Sequence, residues 1–334
     1  MKIIIPMAGM GKRLRPHTLT VPKPLLPIAG KPLVQWIAED IAKVCVEKID
    51  EIAFIIGDFG AEVEQKLIDV ANSLGAKGKI YYQKEALGTA HAVLCAEKSL
   101  SGKVIVAFAD TLFSANFQLE EENEGIIWVQ KIEDPSQFGV VKVNEKNEIT
   151  DFVEKPKEFI SDLAIIGIYY FKDGENLKQE LQYLIDNKII KSGEYQLTDA
   201  LENMKAKGLK FKPGNVDEWL DCGNKDAVVH TNNRILELKK NHIQKSKNIT
   251  IKNSEIIEPC YFGENVSIID SKIGPCVSIG ANSSIENAVV SSSIIQTHSK
   301  IRNTTLTNSM IGNFVDYEGN STQLSIGDYS VFKN

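Results

Sequence analysis

The chain has no long apolar run. No segment approaches the roughly 18 apolar residues that a membrane span requires, and the apolar stretch in MKIIIPMAG is too short for a signal peptide. Cysteine pairing is absent too. The 5 cysteines (Cys45, Cys95, Cys222, Cys260 and Cys276) form no C-x-x-C pair and no zinc spacing. A scattered, odd-numbered set suits reduced thiols in a cytoplasm. There is no excess of positive charge: the formal net charge is −6. That argues against a general nucleic-acid surface and leaves the basic residues near the N-terminus as a local feature. These absences predict a cytoplasmic protein with neither nucleic acid nor membrane as partner. The remainder, 334 residues at 43% hydrophobic and 25% charged, suits a globular chain of about two domains.

What is present is concentrated in Met7–Leu33, MAGMGKRLRPHTLTVPKPLLPIAGKPL. It follows Lys2–Pro6, an apolar run that reads as a buried first strand. Gly9, Gly11 and Gly30 let the backbone approach a ligand and turn N–H groups toward an anion. Pro16, Pro22, Pro24, Pro27 and Pro32 hold the segment extended and exclude a helix. Lys12, Arg13, Arg15, Lys23 and Lys31 supply charge. A stiff cationic loop at the C-terminal end of a strand sits where open α/β sheets place ligands. It predicts a polyphosphate grip.

Two familiar nucleotide loops fit poorly. A Walker A loop needs a glycine where Pro6 stands and a hydroxyl where Arg13 follows Lys12. A dinucleotide fingerprint needs a third glycine where Leu14 stands, then a helix that Pro16 breaks. The segment instead resembles the signature of the sugar-nucleotide pyrophosphorylases. The matching residues are Ala8-Gly9-Met10-Gly11-Lys12-Arg13-Leu14-Arg15-Pro16-His17-Thr18, then Pro22-Lys23-Pro24-Leu25-Leu26-Pro27, then Lys31-Pro32. Lys12 departs from the pattern, standing where the family usually has Thr or Ser, so an ammonium would replace a hydroxyl on the triphosphate.

Beyond the loop the chain alternates. Helical spacing over Leu33–Val44, Ala61–Leu74 and Gly88–Glu97 separates strand-like runs at Glu51–Gly57, Lys79–Gln83 and Lys103–Ala109. Such alternation predicts a mostly parallel sheet covered on both faces. After Asp110 the rhythm changes to strands at Gly125–Gln130, Gly139–Val143, Ile149–Glu154 and Ala164–Phe171. Helices follow at Gly174–Asp186 and Gln196–Lys207, then short strand pieces at Phe211–Pro213 and Glu218–Leu220. Lys225–Gln244 reads as a charged connecting helix. From Ile249 on, Asn, Ser, Ile and Val dominate. Ile273, Ile279 and Ile285 are six apart, and Val289, Ile295 and Ile301 repeat the spacing. One aliphatic residue per six marks a β-helix, and left-handed β-helix tails recur in the family this chain resembles. The expected architecture is therefore α/β: a Rossmann-like, mixed, mostly parallel sheet domain over 1–240 and a left-handed parallel β-helix over 247–334. Acyl transfer, which some family members perform in this tail, needs a histidine base. His298 is the tail's single histidine, so the tail reads as an assembly element and the chain as a homo-oligomer that meets through it.

The resemblance implies an activity and a site. The expected reaction is magnesium-dependent transfer of a nucleotidyl group from a nucleoside triphosphate to a sugar-1-phosphate, with release of pyrophosphate. Arg13 and Lys23 match the phosphate cations, and Ala8, Gly9, Gly11 and Lys12 match the nucleotide loop. Gln83, Gly88 and Thr89 match the base-reading segment. Gly139, Glu154, Lys155 and Gly167 match the sugar-phosphate side. Asp110, which ends the strand VIVAFAD, and Asp221, in WLDCG, match the two metal carboxylates for Mg2+. Gln83 offers a donor and an acceptor side by side, which suits the edge of uracil or thymine, so dTTP or UTP is favoured. Ile165 stands two before Gly167, where mannose- and N-acetylglucosamine-handling relatives often carry Asn, so glucose-1-phosphate is favoured. The runner-up activity is that of a mannose-1-phosphate guanylyltransferase. Another class remains, a non-catalytic regulatory homologue that binds nucleotide-sugar, but retention of Asp110, Asp221, Arg13, Lys23 and Lys155 counts against it.

Overall fold

The computed structural model describes every residue except 116, 117, 242, 244, 245, 247 and 334. By its internal packing the chain forms two compact units, one of Met1–Gly9 with Gln35–Trp219 and one of Met10–Val34 with Leu220–Asn334. In chain order the elements are β1 (Lys2–Pro6), β2 (Pro27–Ile28), β3 (Lys31–Pro32), α1 (Leu33–Val44), β4 (Glu51–Ile56), α2 (Ala61–Ser73) and β5 (Lys77–Tyr82). Then come α3 (Thr89–Leu94), β6 (Val104–Ala107), β7 (Thr111–Ser114), β8 (Gly125–Lys131), β9 (Gly139–Val143), β10 (Ile149–Glu154) and β11 (Leu163–Phe171). The series continues with α4 (Gly174–Asp186), α5 (Leu197–Ala206), β12 (Phe211–Asn215), β13 (Glu218–Asp221) and α6 (Lys225–Leu238). The connecting helix thus stops at Leu238; Gln244, its expected end, lies outside the described residues.

The first unit is built on a mixed sheet in the order β10-β9-β11-β6-β1-β4-β5, with β8 and β12 joined beside β11. β1 lies parallel to both β4 and β6, and β4 parallel to β5. These strands are continuous apolar runs because both sheet faces are covered: Ile3, Ile4 and Ile5, Phe54, and Val104 through Ala107 are all fully buried. β11 joins antiparallel to β6, β8 and β9, which explains the change of rhythm after Asp110. Its register against β8 shifts between Ile165 and Tyr169, and Gly167 takes φ 86 within that shift. An irregular strand of this kind bends the backbone next to a site. Pro213 lies in β12, which borders β8 alone, as a residue without a backbone donor requires.

In the second unit the C-terminal strands stack in parallel. Ile268 pairs with Ile285, Ile285 with Ile301, Ile301 with Tyr317 and Tyr317 with Phe332, so successive coils take 17, 16, 16 and 15 residues. A second stack runs through Phe262, Ile279, Ile295, Ile311 and Ile326. The coils are shorter than three six-residue repeats. The aliphatic ladder therefore holds at Ile273, Ile279, Ile285, Ile295 and Ile301, all buried, but fails at Val289. That residue is 44% exposed while Val290 fills the core. Serines stand inside as well: the Ser283 hydroxyl donates to the Gln296 carbonyl and accepts from the Ser299 N–H, which satisfies a buried polar group between coils. Among the described residues no helix is long and apolar enough to cross a membrane.

Candidate functional site

β1 leads out of the centre of the parallel strands into Ala8 and Gly9. β6 leads into Ala109 and Asp110, and β1 is hydrogen-bonded to both β4 and β6. The C-terminal ends of such strands are where open sheets bind ligands. Asp110, half-buried at this edge, is followed by β7. The Phe108 N–H donates to the Gly167 carbonyl at 3.0 Å, which ties the irregular part of β11 to the strand end that carries Asp110. Trp219 Nε1 donates to Thr111 Oγ1 at 3.1 Å, and its ring packs edge-on against Phe138, with centroids 4.9 Å apart.

Phe138 introduces the sugar-side residues. A Cβ at Gly139 would stand 3.1 Å from Glu154 Oε2 and 3.3 Å from Ile165 Cδ1, so glycine, carboxylate and aliphatic side chain converge there. The Lys155 N–H donates to the Phe138 carbonyl at 3.1 Å, and Lys155 Nζ lies 3.9 Å from Glu154 Oε1. Thr198 Oγ1 donates to Glu154 Oε2 at 3.4 Å. Burial pushes the Glu154 carboxyl above the usual carboxylate range, against the pull of the Lys155 ammonium. Tyr169 is buried beside this cluster. Burial raises its hydroxyl's pKa, and the charges of Glu154 and Asp110 raise it further. Asp110, Gly139, Glu154, Lys155 and Gly167 thus belong to one region of the first unit.

Gln83 and the start of α3 belong to the same unit. Gln83 Nε2 donates to the Gly88 carbonyl at 3.3 Å and lies 3.2 Å from His91 Nδ1. Gly88 has φ 114, and a Cβ there would stand 2.5 Å from the Tyr195 carbonyl oxygen. The Thr89 hydroxyl accepts from the Leu197 N–H at 2.9 Å and so caps α5. Gly88 and Thr89 therefore carry a structural duty, joining α3 to the Tyr195–Leu197 segment.

The second unit holds the cationic loop. Gly11 takes φ 59, and a Cβ on it would stand 2.9 Å from Lys23 Cβ, so only glycine lets the two halves of the loop close on each other. Thr18 Oγ1 donates to the Gly11 carbonyl at 2.8 Å. Short 3-10 turns run over Lys12–Leu14 and Lys23–Leu25. Leu14 is buried and anchors the first turn, leaving Lys12 and Arg13 before it exposed. Lys23 is buried at 8% exposure. Asp221 ends β13, and the Thr231 hydroxyl of α6 donates to its carbonyl at 2.8 Å. The space above Gly223 is shared: a Cβ there would stand 3.0 Å from Asp221 Oδ2 and 3.4 Å from Arg13 Nη2. A guanidinium and a carboxylate from distant parts of the chain meet at one glycine.

Three residues of this region are assigned no role by the sequence. His17 is buried, with Nε2 3.1 Å from Ser325 Oγ. Asn232 Oδ1 accepts from the Ala29 N–H at 3.0 Å and from Ser278 Oγ at 2.6 Å. Gln296 Nε2 donates to the Pro27 carbonyl at 3.2 Å. No local signal marks them, since each partner lies far away in sequence. Burial lowers the His17 imidazole from 6.5 to about 4; Asp328 pulls it upward and Lys225 lowers it further. With the folded value depressed, the unfolded chain takes up this proton first. The stability is present above about 6.5 and is lost as pH falls toward about 4. We expect a loss of about 3 kcal/mol across that window, absent in His17→Gln, read as the difference between urea-unfolding free energies of the two chains.

One unit carries Asp110, Glu154 and Lys155 beside a parallel-strand edge, and the other carries a glycine-closed cationic loop with Asp221; such cations, glycines and carboxylates are the equipment of a nucleotide-dependent transferase. Residues 2–238 match the Nucleotidyl transferase family model, and the chain belongs to that family. Over 100% of both chains it is 28% identical to the low-salt glycan biosynthesis nucleotidyltransferase Agl11 of Haloferax volcanii. It is 28% identical to a glucose-1-phosphate thymidylyltransferase of Streptomyces antibioticus, with 99% of this chain and 98% of the relative covered. The bifunctional protein GlmU of Methanocaldococcus jannaschii is 31% identical over 77% of this chain and 60% of its own length. A solved UDP-glucose pyrophosphorylase complexed with UDP-glucose superposes with a TM-score of 0.58 at 25% identity, covering 71% of this chain and 98% of that one. These matches bear out the expected sugar-nucleotide pyrophosphorylase membership and the expected enzyme class, sugar-1-phosphate nucleotidyltransferase.

Proposed function

We propose that the chain transfers the nucleotidyl group of dTTP or UTP to glucose-1-phosphate. The observation that carries this reading is that Arg13, on a loop whose Gly11 closes over Lys23, shares the space at Gly223 with Asp221. A sugar-phosphate oxygen attacks the α-phosphorus, the bond from that phosphorus to the β-bridging oxygen breaks, and pyrophosphate leaves. The chain's task is to hold two anions in line and balance their charge. Arg13 and Lys12 take the triphosphate, with the N–H groups of Ala8, Gly9 and Gly11. Lys23, fixed between prolines, takes the α-phosphate and the sugar phosphate. Lys155 also holds the sugar phosphate.

Asp110 and Asp221 suit magnesium by donor type. Both are hard carboxylate oxygens, and among the described residues no group of three or more His, Cys, Asp or Glu is placed to hold a metal ion. Magnesium commonly accepts such a site, one or two carboxylates completed by substrate phosphates and water. When bound it neutralises charge on the transferring phosphates.

The choice of sugar rests on Ile165, which packs with Glu154 around Gly139. An aliphatic wall offers no partner to an N-acetyl amide, while Glu154 accepts from sugar hydroxyls. Gly167, beside Phe108, leaves the strand edge open to the sugar. The choice of base rests on Gln83. Its amide nitrogen donates to the Gly88 carbonyl, and its Oε1 is the acceptor for an N3–H donor. Discrimination is limited, since each unpaired polar group costs roughly 1–3 kcal/mol. The test is kcat/KM for the four triphosphates in wild type and Gln83→Ala. We expect a pyrimidine preference that shrinks about tenfold in the variant; unaltered selectivity assigns base reading to another residue.

The same reading takes 1–240 as the nucleotidyltransferase domain and the stacked coils of 247–334 as a left-handed β-helix. The exposed Val331 and Phe332 on its last strand support a homo-oligomeric contact. The chain's 5 cysteines, scattered without a pairing pattern, suit a reducing cytoplasm.

A further inference from the structure

The phosphate loop and the C-terminal coils belong to one compact unit, and the contacts between them are specific. His17, buried in the loop, has its Nε2 3.1 Å from Ser325 Oγ. Three residues on, Thr20 Oγ1 donates to Asp328 Oδ2 at 2.6 Å. Between these two partners stands Gly327, where a Cβ would lie 2.8 Å from Pro16 Cβ and 3.2 Å from Pro16 Cγ. The last coil therefore meets the Pro16–Thr20 stretch with two side-chain hydrogen bonds and one close approach that glycine permits. Farther along the loop, Gly30 lies against the Tyr261 ring, where a Cβ would be 2.3 Å from Cε2.

We propose that Ser325, Gly327 and Asp328 are positioning residues for nucleotidyl transfer. They fix the Pro16–Thr20 half of the phosphate loop, and through it the Lys12–Leu14 turn that presents Arg13. The proposal rests on the reading of that loop as the triphosphate grip. The turn is only three residues long, and Arg13 itself is exposed, so its direction depends on what holds the loop on either side. On one side the closure of Gly11 over Lys23 holds it. On the other side the last coil holds it. A catalytic cation displaced by about 1 Å costs on the order of a hundredfold in rate. The tail thus has a duty at the phosphates beyond assembly, although it carries no catalytic residue.

Gly327→Ala tests this directly, because its added methyl meets Pro16 while the φ of Gly327 lies outside the left-handed region. We expect the triphosphate KM to rise tenfold or more, the sugar-1-phosphate KM to change less, and the far-UV spectrum to stay that of the wild type. Thr20→Val should move the same constant by a smaller factor, and Thr20→Ser should restore it, which keeps the test readable if the alanine variant folds poorly. Val289→Ala, exposed on the coils away from the loop, should leave both constants unchanged. Wild-type constants in both Gly327→Ala and Thr20→Val would overturn the proposal. Arg13→Ala separates the two layers of the argument. Loss of turnover there with a normal Gly327→Ala rejects only the positioning role, whereas normal turnover in Arg13→Ala rejects the loop's role as triphosphate grip.

Discussion

Replacing Asp110 by Asn, or Asp221 by Asn, is expected to lower kcat by roughly 10²–10³ or more, the usual cost of removing one preorganised electrostatic group. Asparagine keeps the shape and removes the charge. Asp110 lies in the turn that joins the fully buried β6 to β7, and its neighbours are held by backbone bonds and by Trp219 on Thr111, so the fold survives the change. Asp221 is fixed at its backbone by Thr231 and flanked by the buried Leu220 and Cys222. Its carboxylate shares the Gly223 space with Arg13, and Asp221→Asn leaves that guanidinium with a neutral neighbour. Thermal unfolding should stay within about 1 kcal/mol of wild type in both variants. Pyrophosphate release in saturating magnesium reads the effect. Near wild-type turnover in both variants would remove the two-carboxylate site.

The second large effect is expected from a chain that ends before Ile249. If the tail served assembly alone, the shortened chain would keep its turnover and change only its size in solution. The structure leads to a different expectation. Without the coils His17 loses Ser325, Thr20 loses Asp328, Asn232 loses Ser278, and Gly30 loses the ring over it. His17 and Asn232 are buried, and a buried polar group stripped of its partner costs about 1–3 kcal/mol. The loop would then sample many conformations, and Arg13 would spend little time aimed at a phosphate. Turnover should fall roughly a hundredfold or more while the sheet of the first unit keeps its circular dichroism. Unchanged kcat and KM in the shortened chain would return the tail to assembly alone.

The two effects differ in how far they could be read from sequence. β1, β4 and β6 were legible because they are continuous apolar runs, and the loop was legible because its glycines and prolines obey local backbone rules. Asp110 and Asp221 were legible only through motif resemblance, since nothing in either segment says what it faces. The meeting of Arg13 with Asp221 at Gly223 is a tertiary fact, as is the convergence of Gly139, Glu154 and Ile165. Gly88 shows another limit. A glycine before a helix reads as room for a ligand, yet the same absence of a side chain is required by the Tyr195 backbone. In the tail the six-residue period located the coils but misplaced Val289, because a coil of 16 or 17 residues drops a position that a strict period keeps. The contacts of His17, Asn232 and Gln296 were illegible, since hydrogen bonds that span most of the chain leave no local pattern.

The central claim is nucleotidyl transfer from a pyrimidine triphosphate to a sugar-1-phosphate. Pyrophosphate release across a grid of four triphosphates and several sugar-1-phosphates, with and without magnesium, tests it most directly. We expect release that requires both substrates and the metal, and that is fastest with dTTP or UTP and glucose-1-phosphate. A clear preference for GTP with mannose-1-phosphate, or binding of nucleotide-sugar with no release from any pair, would contradict the account.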